Sequence, residues 1–292
     1  MWTSVLKQRV KAAFMIWPLT FSPTTLPPSL LRPTATMSIA QHQTANFDEI
    51  FKQKRILRSK VRKSLKSMDP SLRSEEDNAI QSLVLEAPWF KSSKTFCAYI
   101  SCSALREVNT SVLLREILKN PEKDGCAQTP KKLYVPRVED KNSHMRMLNI
   151  SSMDDLIANS MNILEPAPID GLGNKREDVL QANDPVDLFL LPGLAFERTG
   201  KRLGRGGGYY DTFLRKYQEL ARERNWKQPL FVGLSYSLQI MDEGVIPVTS
   251  HDVLVDALVT PSGMIPISPS AKILRLVACD LMRTVSSEVL KM

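Results

Sequence analysis

Between Leu190 and Asp211 the chain reads Leu-Leu-Pro-Gly-Leu-Ala-Phe-Glu-Arg-Thr-Gly-Lys-Arg-Leu-Gly-Arg-Gly-Gly-Gly-Tyr-Tyr-Asp, and six of its 12 glycines lie between positions 193 and 208. Gly204, Gly206, Gly207 and Gly208 leave successive backbone N–H groups unshielded by side chains. The residues from Tyr209 to Leu220 have a helical pattern. An apolar strand, a glycine loop and a helix N-terminus in that order make a cradle for phosphate. Arg202 and Arg205 add guanidinium forks that match phosphate oxygens, and Asp211 can hold a bridging cation. A surface turn with solvated arginines needs only the glycines; the strand exit, the arginines and the early-helix acid together favour the phosphate reading. The loop is not a Walker sequence, because Gly206 is followed by glycines rather than by Lys and Ser or Thr. The dinucleotide-binding spacing also fails, since position 209 is Tyr209.

A second cluster lies nearer the amino terminus. Phe47, Ile50, Phe51, Leu57, Val61 and Leu65 define an apolar stripe at helical spacing, with Lys54 in its middle and Arg58 at its margin. Lys54 either snorkels out of that stripe or enters, with Arg58, a site between the helix and a sheet. The basic run from Lys52 to Lys66 could also contact RNA, but no aromatic stacking motif accompanies it. Histidine chemistry has little material, since only His144 and His251 follow residue 47. The four cysteines (Cys97, Cys102, Cys126 and Cys279) form no C-x-x-C pair, which argues against a zinc site or a disulfide scaffold and for free thiols in a reducing compartment.

These residues carry a resemblance. Lys54-Arg55-Ile56-Leu57-Arg58, Glu107, Asn162-Ile163-Leu164-Glu165-Pro166, Leu190-Leu191-Pro192-Gly193, Arg202 to Asp211, and His251-Asp252-Val253-Leu254-Val255-Asp256 occur in order between about Lys52 and Pro261. In that set the chain resembles the 5-formyltetrahydrofolate cyclo-ligases, also called methenyltetrahydrofolate synthetases. With its leader it is most similar to the plant mitochondrial members.

The resemblance implies ATP- and Mg2+-dependent conversion of 5-formyltetrahydrofolate to 5,10-methenyltetrahydrofolate, with release of ADP and phosphate. The formyl oxygen is a poor leaving group. Its attack on the γ-phosphate of ATP activates the carbon, the neighbouring folate nitrogen closes the ring, and phosphate departs. Such chemistry needs positioning and charge neutralisation more than a protein nucleophile, which suits a chain rich in Arg, Gly and Asp and poor in His. By the same resemblance, Lys54, Arg58, Arg202, Leu203, Gly204, Arg205, Gly206, Gly207, Gly208, Tyr209 and Tyr210 bind ATP. Cys102, Glu107, Arg205, Gly206, Gly207, Gly208 and Tyr209 meet the folate, Arg205 and Tyr209 serve catalysis, and Asp211 and Asp252 hold magnesium. A glutamate at position 107 can accept paired hydrogen bonds from the pterin amino-imine edge. Position 102 is usually apolar in the family and is Cys102 here. Position 207 is lysine in some members and Gly207 here, so no lysine role transfers to it.

The elements that must position these groups alternate along the chain. Helical periods cover residues 47–66, 71–87 and 109–119, and strands are expected at Lys94–Ile100, Lys132–Pro136, Met145–Ile150, Val186–Leu191, Leu230–Leu234 and Val253–Thr260. Residues 151–185 read as a connection. The apolar run at 186–191 suits a strand covered on both faces, and the alternation predicts a three-layer α/β/α domain with a mainly parallel sheet.

Composition bounds the rest. With 292 residues, 43% of them hydrophobic and 24% charged, the chain can bury a large core, and no apolar run is long enough to span a bilayer. A net charge of +8 suggests a polyanionic partner, yet it is unevenly placed. The first acid is Asp48, and the segment before it holds Lys7, Arg9, Lys11, Arg32 and five of the 19 prolines. Leu6, Val10, Ala13, Phe14 and Trp17 share one helical face there. This is the pattern of an organelle transit peptide, read as mitochondrial with the matrix as destination, and as plastid in second place. Residues 1–47 are therefore expected to be leader and linker, 48–265 a single domain, and 266–292 an extension whose Ile273, Leu276, Val277 and Leu281 suit an amphipathic helix. The expected partners are ATP and 5-formyltetrahydrofolate, with no nucleic acid and no membrane, and a monomer suffices. Two rivals stay open: a nucleic-acid binder using the basic helix, and a noncatalytic relative that binds folate or nucleotide.

Overall fold

A computed structural model describes residues 39–119, 130–160 and 162–274. Residues 1–38 of the expected leader and linker, and Leu276, Val277 and Leu281 of the extension, lie outside the described residues, whereas positions 39–47, expected in the linker, begin the first helix. In chain order the elements are α1 (Ile39–Ser67), α2 (Pro70–Glu86), α3 (Pro88–Ser92), β1 (Thr95–Ala98), α4 (Ser111–Ile117), β2 (Lys132–Val138), β3 (Met145–Ile150), β4 (Leu156–Ala158), β5 (Leu164–Pro166), β6 (Leu188–Leu191), β7 (Ala195–Glu197), β8 (Arg202–Leu203), α5 (Tyr209–Glu223), β9 (Leu230–Leu234), β10 (Ile240–Met241), β11 (Ala257–Thr260) and β12 (Gly263–Pro266).

Seven strands form one sheet in the order β12-β11-β9-β6-β1-β2-β3. Every pairing from β11 through β2 is parallel, and the edge strands β12 and β3 add antiparallel. All residues of β1, β6 and β11 are buried, as parallel strands covered on both faces must be. Their side chains alternate between two cores. Phe96, Ala98, Leu188 and Leu190 face the layer of α1, α2, α3 and α4, where Val61, Leu65, Ile80, Val84, Phe90 and Leu113 pack. Cys97, Phe189, Leu191 and Phe231 face α5, which contributes Phe213, Leu214, Tyr217 and Ala221 at helical spacing. Phe189 is the hub of that second core, its ring 5.2 Å from Tyr217 and 5.4 Å from Phe231.

Local chemistry sets the ends of these elements. Asp69 caps α2 by accepting from the amides of Ser71 (2.8 Å) and Leu72 (3.1 Å), with Pro70 at the first helical position. Asp187, just before β6, accepts from Lys94 N and Thr95 N (2.8 and 3.0 Å) and so ties the starts of β1 and β6. Asp256 does the same for β9 through Phe231 N at 2.8 Å.

Some boundaries differ from expectation. Residues 253–256 are not strand, because Asp252 and Asp256 use this stretch for loop bonds to neighbouring elements. The 151–185 connection contains the β4–β5 hairpin. The small sheet of β7, β8 and β10 had too few residues per strand to show a period. In α1 the apolar stripe is buried only at its carboxyl end: Phe47 and Phe51 are exposed, and Val61 and Leu65 are buried. Residues 269–274 are helical, as expected of the extension, but Ile273 is 61% exposed, since this helical segment turns Ala271 and Leu274 inward instead.

Candidate active site

The chain leaves β1 toward β2 on one side, and returns at β6 to proceed toward β9 and β11 on the other. The crevice beyond the carboxyl ends of β1 and β6 is thus a topological switch point, the place where open α/β sheets bind ligands. A cleft of about 300 Å³ opens there, lined by Tyr99, Ile100 and Cys102 after β1, by Pro136 and Val138 of β2, and by Pro192 and Gly193 after β6. A larger cavity of about 1030 Å³ opens around the starts of β6, β9 and β11, near Asp187, Leu230 and Asp256. The glycine loop does not line it.

That loop roofs the cleft. The β7–β8 hairpin delivers it, and Gly208 is the residue before α5, with no side chain capping the helix. The first-turn amides are therefore left to solvent or a ligand. Gly206 has φ +113° and Gly208 +69°, conformations that glycine adopts without strain. A Cβ at Gly207 would lie 2.4 Å from the Tyr209 ring. Tyr209 donates its hydroxyl to Asp140 O at 2.9 Å, and the Ser143 hydroxyl donates to Gly207 O. The β2–β3 turn thereby holds the roof from one side.

Two arginines extend from the loop in different directions. Arg202 is buried: Nη2 lies 2.8 Å from Asp211 Oδ1 and Nη1 3.3 Å from Pro192 O. The guanidinium carbon lies 5.7 Å from the Tyr210 ring centre. Its Nε is the one buried side-chain donor without a partner among the described residues, a costly state unless water or a ligand satisfies it. Arg205 donates from Nε to Glu107 Oε1 at 3.0 Å and from Nη2 to Leu105 O. The other Glu107 oxygen accepts from Cys102 N at 3.0 Å. Arg106, left-handed at φ 54°, makes the sharp turn that brings this acid back to the cleft. Burial pushes the Tyr210 phenol well above its ordinary pKa, keeping it a neutral donor.

The helix α1 supplies the next group at intervals of four residues. Lys54 is buried, with Nζ 2.7 and 2.6 Å from the two Asp252 oxygens. Arg58 donates from Nε to Gly204 O (2.8 Å), and Arg62 from Nη2 to Arg205 O (3.0 Å). Burial and the neighbouring Arg62 charge lower the pKa of Arg58 and outweigh the opposite effect of Asp252 and Asp211. Burial would raise the Asp252 carboxyl, but the Lys54 ammonium and the Thr249 amide outweigh it and hold it below the ordinary carboxylate range. Asp211 is near: its Oδ1 accepts from Val253 N at 3.1 Å, the residue after Asp252.

The structure therefore brings together Cys102, Glu107, Arg202, Gly204, Arg205, Gly207, Gly208, Tyr209, Tyr210 and Asp211 around one cleft. Lys54, Arg58 and Asp252 do not line it: Arg58 holds the loop through Gly204 O, and Asp252, paired with Lys54, lines the larger cavity. Gly206 has its α-carbon toward Arg58, whose Cζ would be 3.5 Å from an added Cβ. Leu203 pairs with Ala195 and buries its side chain in the core, so it can offer only backbone. Asp140, Ser143, Arg62 and Glu165 were not singled out from the sequence. Glu165 had a signal, its place in the Leu-Glu-Pro motif; the others became visible only through their contacts.

No group of three or more His, Cys, Asp or Glu side chains suited to a metal exists among the described residues. Asp211 and Asp252 provide two neighbouring carboxylates, each now ion-paired. Two carboxylates fit Mg2+ when phosphate oxygens and waters complete its shell.

The profile of the 5-formyltetrahydrofolate cyclo-ligase family matches residues 50–261. The chain is 65% identical over 240 residues to 5-formyltetrahydrofolate cyclo-ligase, mitochondrial, of Arabidopsis thaliana, covering 82% of this chain and 85% of that one. It is 31% identical over 209 residues to 5-formyltetrahydrofolate cyclo-ligase of Mus musculus, covering 70% and 91%. The NMR structure of Aquifex aeolicus 5,10-methenyltetrahydrofolate synthetase superposes with a TM-score of 0.56 at 28% identity, covering 73% of this chain and 92% of that one.

Proposed function

The chain belongs to the 5-formyltetrahydrofolate cyclo-ligase family, and on that premise we propose that the cleft under the glycine loop is where its reaction occurs. The enzyme converts 5-formyltetrahydrofolate and ATP to 5,10-methenyltetrahydrofolate, ADP and phosphate. The observation that carries the assignment of residues is the position of Arg205. Its side chain holds Glu107 in the cleft, while its backbone belongs to the loop that Arg58 and Arg62 hold from the α1 side.

The folate lies against Cys102, Glu107 and the loop from Arg205 to Tyr209, in the half of the cleft formed by β1 and β2. The triphosphate lies along the loop, between the free first-turn amides of α5 and the cations Lys54, Arg58 and Arg202. The unpartnered Nε of Arg202 is a donor awaiting an oxygen. As the formyl oxygen attacks the γ-phosphate, Arg205 and Arg202 balance the charge that develops there, and Tyr209 holds the loop in register through Asp140. Ring closure by the second folate nitrogen expels the oxygen as phosphate. Asp211 and Asp252 would hold Mg2+, which supplies further neutralisation of the phosphates when bound.

The protein acts in the mitochondrion, as the name of the Arabidopsis relative and the acid-poor basic leader both favour; the matrix is the compartment we assign. We assign the leader and linker to the residues before α1, which begins at Ile39 and not at residue 48, and the catalytic domain to the chain from there to about residue 265. No described helix is long and apolar enough to cross a membrane.

The test is direct. Purified protein with ATP, Mg2+ and 5-formyltetrahydrofolate should generate the methenyl chromophore and ADP in equal amounts, and Arg205→Ala and Asp211→Ala should each lower the rate by about 10²-fold or more. Folate or nucleotide binding without turnover, or RNA binding with a steep salt dependence, would overturn the reading.

A further inference from the structure

Glu165 is a buried acid for which the reaction above has no use. It lies in β5, is 9% exposed, and forms part of the cleft wall with Ile163, Leu164, Pro136, Val138 and Met145. Its carboxylate has one hydrogen bond, a long one at 3.4 Å from Val138 N to Oε1, and no ion pair among the described residues. The cation next to Val138 on β2 is committed elsewhere: Arg137 donates to Pro166 O at 2.9 Å and pairs with Glu139 at 3.7 Å.

Glu107 is its opposite. Both Glu107 oxygens are occupied, by Arg205 and by Cys102 N. A carboxylate nine-tenths buried among apolar side chains is costly unless strong donors reach it. Among the described residues none does, and the open side of Glu165 is the cleft.

We infer that Glu165 is a substrate-recognition residue whose carboxylate accepts an N–H donor of the reduced pterin, from a different wall than Glu107. This rests on the function proposed above. The bicyclic ring has N–H groups on its pyrimidine edge, on its pyrazine ring and in the linker, more than one carboxylate can take. Two acids, one from the loop after β1 and one from β5, would read two sides of the ring, with Pro136, Val138 and Met145 covering its faces. The acceptor set selects a donor-rich ring over a flat apolar one of the same size.

The experiment compares Glu165→Gln and Glu165→Leu with the wild-type enzyme, each checked for a native circular-dichroism spectrum and a normal KM for ATP. Loss of a charged hydrogen bond predicts a KM for 5-formyltetrahydrofolate raised about 10- to 100-fold in the Leu variant and less in the Gln variant, with kcat within about threefold. Calorimetric binding of the folate without ATP should weaken in parallel. Unchanged folate KM and affinity in folded variants would overturn the inference. So would a large fall in kcat at constant KM, which would make Glu165 a proton acceptor in ring closure. If the wild-type enzyme itself forms no methenyl product, it is the proposed function that fails, not the role of Glu165 within it.

Discussion

Lys54 Nζ lies 2.7 and 2.6 Å from the two carboxylate oxygens of Asp252, a residue 198 positions away. The contact joins the first helix to the loop before β11, one helical turn before Arg58 donates to Gly204 O of the glycine loop, so one ion pair closes the fold next to the residue that holds that loop.

Removing one partner leaves a buried charge. Lys54→Met is expected to cost on the order of 3–5 kcal/mol of stability and to raise the KM for ATP. The double variant Lys54→Met with Asp252→Asn should regain much of the stability and none of the ATP affinity. Urea denaturation and steady-state kinetics on the same preparations measure the two effects, and recovery of both would mean that Lys54 has no role beyond the fold.

The pair also gives a pH dependence of known sign. The folded Asp252 carboxyl is depressed below its unfolded value of about 3.9, so the folded state binds fewer protons there. Its contribution is complete above the unfolded value and disappears as pH falls through the folded one. The urea midpoint should therefore drop below about pH 4, and the drop should be shallower in Asp252→Asn. Equal slopes in both proteins would assign acid sensitivity to other groups.

Gly206 carries φ +113° where the loop meets Arg58. An alanine there strains the backbone by roughly 1–3 kcal/mol while its methyl would only touch the guanidinium, whereas nearby Gly204 has no positive φ. Gly206→Ala should raise the KM for ATP at least tenfold with a small change in melting temperature, and Gly204→Ala should do less. Equal effects would mean that backbone conformation is not what the glycine supplies.

Phe189 is fully buried against Phe213, Tyr217 and Phe231. Phe189→Ala is expected to lose about 3–5 kcal/mol, read as a lower urea midpoint. The folate KM of the fraction that remains folded should be unchanged, because the side chain faces α5 and not the cleft.

Much of this could be read from residue types. An apolar run means a strand covered twice, because a parallel strand has no solvated face, and Val186–Leu191, apolar except for Asp187, was legible for that reason. Its first two residues fall outside β6, since Asp187 is used to tie β1 to β6. The glycines, arginines and Asp211 were legible as one loop leading into a helix because they are adjacent in the chain. The two-residue strand β8 was not, because two residues have no period; it exists through its pairing with β7.

What the sequence determined by itself was the order of elements, the doubly covered sheet and the place of the glycine loop before a helix, all properties of near neighbours in the chain. Tertiary structure decided the partners. Lys54 in an apolar stripe was equally compatible with snorkelling and with burial, until Asp252 was folded onto it. Glu107 and Arg205, 98 residues apart, became a pair only because the switch point between β1 and β6 brings their loops together. A charge in a chain can choose among many opposite charges, and it is the packed backbone that leaves it one.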